Sequence, residues 1–313
     1  MKFYKKITRF WKFFLIINLI SLGCAALIAN TSKQNIIVQD VYFNPPIADD
    51  WTRKDSSISI HGRLYLPPEF SPGSSYPAVI LFHGVTRTIE DNNFLSKKLA
   101  EMGIVVFSAS YRGHGKSGGT FPMTDGDKYD LCFRDALGAY GYVKTIPYID
   151  QRRMISYGNS LGGAAAVFLA LKDLVPKFVA TFPALSYNME NSPIYLHKSR
   201  NTEFEGYIMA GTADACIWCL PQYVKEFARN NPSVEIHWLE GAIHTDSRFW
   251  LESMTHARSW IARKLQISEH SLFYDWYYSG YAGVSLAGVT GIIDLIVLGI
   301  KLARFRFKNR PLA

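Results

Sequence analysis

The chain has 313 residues, of which 48% are hydrophobic and 19% charged, and a formal net charge of +8. This is an ordinary globular composition without repeats or low-complexity tracts, and it leaves room for one domain of about 240 residues once the ends are set aside. The placement of the charge argues against nucleic acid as a partner. Lys2, Lys5, Lys6, Arg9 and Lys12 at one end, and Lys301, Arg304, Arg306, Lys308 and Arg310 at the other, stand in stretches without acids; the ends carry +10, so the remaining 288 residues sum to −2. Basic charge flanking apolar segments is the pattern of a membrane protein, not of a phosphate binder.

The first apolar segment, Phe13 to Ala29, is 17 residues without a charge. It reads as a signal peptide or a retained anchor. No small-x-small cleavage site precedes Asn30, and Ser21-Leu22-Gly23 ahead of Cys24 lacks the leucine of a lipoprotein signal. A retained signal anchor over 1–31 is therefore expected.

From Asn35 strands and helices alternate. Strands are predicted over 36–42, 58–66, 78–82, 104–109, 154–157, 178–182, 207–210 and 234–239, with helices over 94–102, 130–144, the Ala-rich stretch from 161, and 248–265. Apolar strands separated by helices mean a mostly parallel sheet, here eight-stranded, with helices on both faces. The chemistry of such sheets sits beyond the carboxyl ends of the strands. Those ends lead into His83-Gly84-Val85, Arg112 to Gly115, Ser160, Thr212 to Asp214 and Gly241 to His244, five loops expected to converge.

Gly158-Asn159-Ser160-Leu161-Gly162 joins a buried strand to a helix, the setting in which Gly-x-Ser-x-Gly is a nucleophile elbow. The glycines avoid collisions at a strained turn, and the helix aims its first amides at developing negative charge. A serine hydroxyl needs a base to take its proton, a task suited to histidine, and an acid to hold the ring's tautomer. In chain order Ser160 is followed by Asp214, then by His244, each in a strand-end loop. Read alone, Ser160 is a turn serine, Asp214 a helix cap and His244 one of eight histidines. His61 falls within a strand, His237 before a strand end and His256 within a helix, whereas His83 precedes the serine. The joint order singles out a Ser160, Asp214, His244 triad, with the amides of Val85 and Leu161 as the oxyanion hole. His83 and His114 read as structural.

These motifs, with Arg112-Gly-His-Gly-Lys-Ser-Gly118, resemble the α/β-hydrolase superfamily over roughly residues 35–266, nearest its compact dienelactone-hydrolase-like and prolyl-oligopeptidase-like serine hydrolases. The resemblance implies an α/β-hydrolase fold and an acyl-enzyme route through that triad. It also implies a small cap at 183–205, for which an ordinary helix and loop is the alternative. Tyr187 and Tyr195 in this segment, and Trp218, are the substrate-binding candidates.

Cys216-Ile-Trp-Cys219 directly follows the acid. Spacing alone leaves a local disulfide, a pair of free thiols or, with two more ligands, zinc; no metal and no cofactor are expected. After the catalytic region, Trp276 to Ile293 is 18 uncharged residues, followed by Asp294 and Leu295 to Ile300. A buried core helix is the alternative; Gly283, Ala287 and Gly291 mark a small-residue face suited to close helix packing, so 276–300 is expected to be a second transmembrane helix ahead of the basic tail 301–313. The positive-inside rule then puts both termini in the cytoplasm and the body outside. The expectation is a membrane-anchored serine hydrolase of a small ester or acyl substrate. An acyltransferase or peptidase with the same triad, and a non-catalytic membrane-bound scaffold, are the alternatives; oligomeric state stays open.

Overall fold

A computed structural model describes residues 35–47, 50–122, 125–185, 204–244 and 250–268. The hydrophobic ends, Tyr187, Tyr195 and most of the expected cap lie outside the described residues. No helix among the described residues is long and apolar enough to cross a membrane. Residues Asn35–Glu269 form one compact unit.

The strands are β1 (Ile37–Phe43), β2 (Pro46–Ile47), β3 (Asp50–Lys54), β4 (Ile60–Leu66), β5 (Tyr76–Phe82), β6 (Val105–Ala109), β7 (Ile149–Asn159), β8 (Lys177–Thr181), β9 (Glu205–Gly211) and β10 (Val234–Leu239). The helices are α1 (Asn93–Ala100), α2 (Asp125–Lys144), α3 (Leu161–Leu171), α4 (Pro221–Asn230) and α5 (Trp250–Leu265). Eight strands form one sheet in the order β1-β4-β6-β5-β7-β8-β9-β10. β1 pairs antiparallel with β4, and β4 with β6; every later pairing is parallel. The mostly parallel eight-stranded sheet expected from the alternation is thus present. The β2–β3 ribbon and α4 were not expected. Strands as short as β2 leave no period to read, whereas α4 carries a signal in Pro221 at its first turn and in its buried Val224 and Phe227.

The central strands are apolar because both of their faces are covered. Ala78 to Phe82 and Val105 to Phe107 are at most 1% exposed. Every residue of α3 is buried, which is why this helix reads as an unbroken apolar run without a polar face. Phe168 of α3 stacks on Phe133 of α2 with ring centroids 4.3 Å apart.

Register brings the site together. Phe82 lies opposite both Ala109 and Gly158, Gly158 opposite Ala180, and Leu239 opposite Gly211. The parallel strands therefore end nearly level, and the loops after β5, β6, β7, β9 and β10 emerge along one edge.

Candidate active site

Ser160 stands between β7 and α3 with φ 55° and ψ −117°, a strained conformation for a residue with a side chain. Its neighbours hold it there: its amide donates to the Thr181 carbonyl at 2.9 Å, and its carbonyl accepts from the amides of Ala164 at 3.2 Å and Ala184 at 3.0 Å. The turn is tight enough to require the flanking glycines. A Cβ on Gly158 would stand 2.0 Å from the Gly162 carbonyl oxygen, and one on Gly162 would stand 2.4 Å from that of Phe82.

The Ser160 hydroxyl donates to His244 Nε2 at 3.0 Å. His244 Nδ1 donates to Asp214 Oδ2 at 2.9 Å. The second oxygen of Asp214 accepts from the Cys216 amide at 2.9 Å, so both oxygens of this 4%-exposed carboxylate are engaged. Asp214 and His244 are 30 residues apart in sequence and are joined through their loops. The Ala213 amide donates to the Ala242 carbonyl at 3.1 Å, and the Gly241 amide to Thr212 Oγ1 at 2.8 Å. Gly211 permits this approach, since a Cβ there would meet the Ala242 carbonyl oxygen at 2.2 Å.

Electrostatics suit the ring for proton transfer. Burial disfavours the charged form of His244, but the hydrogen bond and charge of Asp214, with a contribution from Cys216, outweigh burial and raise its pKa above the ordinary 6.5. In this tautomer Nε2 presents a lone pair to the hydroxyl, so the ring can accept the serine proton while Asp214 steadies the resulting imidazolium. The ring of Phe182 packs edge-on against His244 at 6.0 Å. This neighbour has no sequence signal, because Phe182 reads as the end of a strand.

His83, by contrast, is driven down to about 4 by burial, with its Nδ1–H donating to the Gly84 carbonyl at 2.8 Å and Nε2 lying 3.3 Å from Ser110 Oγ. His114 donates from Nε2 to the Val85 carbonyl at 2.7 Å. Gly84 lies against Ser160, its Cβ position being 3.5 Å from Ser160 Cβ. The loop after β5 thus passes beside Ser160 and is anchored by the loop after β6. That second loop is held in turn by a buried ion pair: Arg112 Nη2 donates to Asp135 Oδ1 of α2 at 2.6 Å, and the Arg112 amide to Asp135 Oδ2 at 2.8 Å. Among the described residues the other histidines are placed elsewhere: His61 beside Asp40, and His237 stacked on His256 and hydrogen-bonded to Glu252.

Cys216 and Cys219 are free thiols. They share a hydrogen bond that lowers Cys216 to about 6 and, together with burial, raises Cys219. Cys219 Sγ lies 3.8 Å from His244 Nε2, the nitrogen that faces the serine. Trp218 is partly buried, and Lys128 Nζ sits over its ring at 4.6 Å from the centroid. Val85, Ile217 and Ile243, each in or next to a site loop, are exposed at 37%, 63% and 52%.

The structure is similar to a putative dipeptidyl aminopeptidase IV from Bacteroides ovatus, with a TM-score of 0.59 and 17% identity over 74% of this chain and 36% of that one. It is also similar to a thermophilic esterase from Thermogutta terrifontis, with a TM-score of 0.56 and 16% identity over 73% of this chain and 94% of the esterase. The chain is an α/β-hydrolase in fold. Residues 73–200, which carry the Gly158 to Gly162 elbow, match the family described as serine aminopeptidase, S33. The Escherichia coli K12 protein YcjY is 30% identical over 133 residues, 42% of either chain. The chain thus spans less than half the length of that curated relative.

Proposed function

We propose that this protein is a serine hydrolase that cleaves an ester or related acyl bond of a small apolar substrate. The observation that carries the reading is the relay of 3.0 Å from Ser160 Oγ to His244 Nε2 and 2.9 Å from Nδ1 to Asp214. Ser160 Oγ attacks the acyl carbon while its proton passes to His244. Asp214 holds the tautomer and stabilises the imidazolium. The oxyanion is bound by the amides of Leu161, at the start of α3, and of Val85, whose carbonyl His114 restrains. His244 returns the proton to the leaving group, and water activated by the same ring releases the acid. The exposed Val85, Ile217 and Ile243 offer an apolar rim for the acyl or alkyl part. Tyr187, Tyr195 and Trp218 are the proposed substrate contacts, with 183–205 as a small cap.

The family match supports a peptidase as the second reading, since its description is that of a serine aminopeptidase. The apolar rim favours the ester.

Residues 35–268 form the proposed catalytic domain, tethered by membrane segments at 1–31 and 276–300. Support for the tethers lies in the uncharged stretches Phe13 to Ala29 and Trp276 to Ile293 and in their basic outer flanks.

Labelling with a serine-reactive fluorophosphonate, followed by esters of graded chain length and aminoacyl amides, tests the function. Wild type is expected to label at Ser160 and to turn over esters, and Ser160→Ala to do neither. An unlabelled wild type overturns the reading, and preferential cleavage of aminoacyl amides replaces it with the peptidase.

A further inference from the structure

The thiols of the Cys-x-x-Cys after the acid carry no step of the proposed chemistry, yet they lie against the base. A hydrogen bond of 2.8 Å from the Cys219 amide to the Cys216 carbonyl curls this segment into a turn, and the two thiols are hydrogen-bonded to each other. The sulfurs and one His244 nitrogen all lie within 4.8 Å of one another. Zinc–sulfur bonds of about 2.3 Å and zinc–nitrogen bonds of about 2.0–2.1 Å place a sulfur and a nitrogen on one tetrahedral ion roughly 3.6 Å apart. Cys219 Sγ and His244 Nε2 are 3.8 Å apart. Asp214, bonded to Nδ1 at 2.9 Å, stands where an outer-shell carboxylate orients a histidine ligand of zinc. The tautomer that makes His244 a base for Ser160 also aims its Nε2 lone pair at this position. Ser160 Oγ, 3.0 Å from Nε2, or a water can supply a fourth ligand. Access exists, since the His244 side chain is 22% exposed and Cys216 is half-buried.

We propose that Cys216 Sγ, Cys219 Sγ and His244 Nε2 bind a thiophilic divalent cation of the Zn2+ or Cd2+ type, which switches the hydrolase off by taking the lone pair that Ser160 requires. The inference that the ion inhibits rests on the hydrolase reading; the site itself does not. On binding, each thiol loses its proton to solvent, both sulfurs and the imidazole donate to the metal, and no electron is transferred. The metal and the Ser160 proton compete for one nitrogen, so a metal-loaded enzyme cannot form the acyl-enzyme. Chelation restores it.

The test uses the full chain kept reduced by a thiol-free phosphine. Cd2+ titration of wild type is expected to produce a thiolate-to-metal charge-transfer absorption that saturates at one ion per chain. Cys216→Ser is expected to bind at least about 100-fold more weakly, because it loses a direct ligand where loss of an outer-shell partner alone costs about 10–100-fold. In parallel, Zn2+ suppresses ester turnover and fluorophosphonate labelling of wild type, a chelator reverses both effects, and Cys216→Ser remains active at the same Zn2+ concentration. Absence of the charge-transfer band from wild type, or its persistence in both Cys216→Ser and Cys219→Ser, overturns the site. Equal inhibition of wild type and Cys216→Ser overturns the switch. A wild type that hydrolyses nothing overturns the hydrolase reading, and the Cd2+ absorption still decides the metal site.

Discussion

Ser160, His244 and Asp214 show how much a single side chain depends on its neighbours. In free solution a serine hydroxyl is a poor nucleophile and an imidazole titrates near 6.5. Here Asp214 outweighs the burial of His244 and raises its pKa above that value. The base works only when neutral, so kcat/KM is expected to rise with pH through a limb lying above 6.5, measured over a pH series with a neutral ester. Asp214→Asn removes the raising contacts, so the residual activity should have its acid limb at lower pH. The same change should lower kcat by up to about 10⁴-fold through loss of the correct tautomer. A limb that stays in place would assign the titration to another group. At this scale the order Ser160, Asp214, His244 was legible in the sequence, because acid and base follow the elbow at the ends of later strands. The edge-on Phe182 and the thiol of Cys219 beside Nε2 were not legible, since both contacts are made by residues far apart in the chain.

The loops gain their positions from elements that never touch the reacting atoms. The loop after β6 hangs on Arg112, whose guanidinium and amide both bind the fully buried Asp135 of α2. Asp135→Ala would leave a buried guanidinium unpaired and is expected to destabilise the domain by about 3–5 kcal/mol, seen as a lower midpoint in urea unfolding. Replacing both partners with apolar residues of similar volume should cost less. The same loop carries His114, whose ring restrains the Val85 carbonyl. His114→Phe keeps much of the ring's packing and removes that hydrogen bond. If Val85 supplies an oxyanion donor, kcat should fall by up to about 10²-fold with KM little changed, as for a group displaced from its geometry. An unchanged kcat would remove Val85 from the oxyanion hole. Sequence alone offered glycine spacing and a histidine in this loop. It could not indicate Asp135, an ordinary helix acid until α2 is packed against the sheet.

For the whole molecule, the parallel sheet explains why five separated loops serve one site: strands that run the same way end on the same edge. In the proposed arrangement the near-neutral body is held at a membrane surface by its basic, apolar ends. In intact cells, external protease is expected to cut the 35–268 region while tags at both termini remain protected. A body protected along with the tags would overturn this topology, and release of the full-length chain by high salt would remove the anchors.

The sequence by itself determined the strand–helix alternation, the elbow and the order of the three site residues, because each is a matter of local periodicity, glycine sterics or position along the chain. It could also place two thiols directly after the acid. Only the tertiary structure decided that these thiols meet His244. The decisive event is the close packing of the loops after β9 and β10, where Gly211 admits the Ala242 carbonyl and seats Asp214, Cys219 and His244 together. Contacts between residues 25 and 30 positions apart follow from strand register and loop packing, which no local pattern encodes.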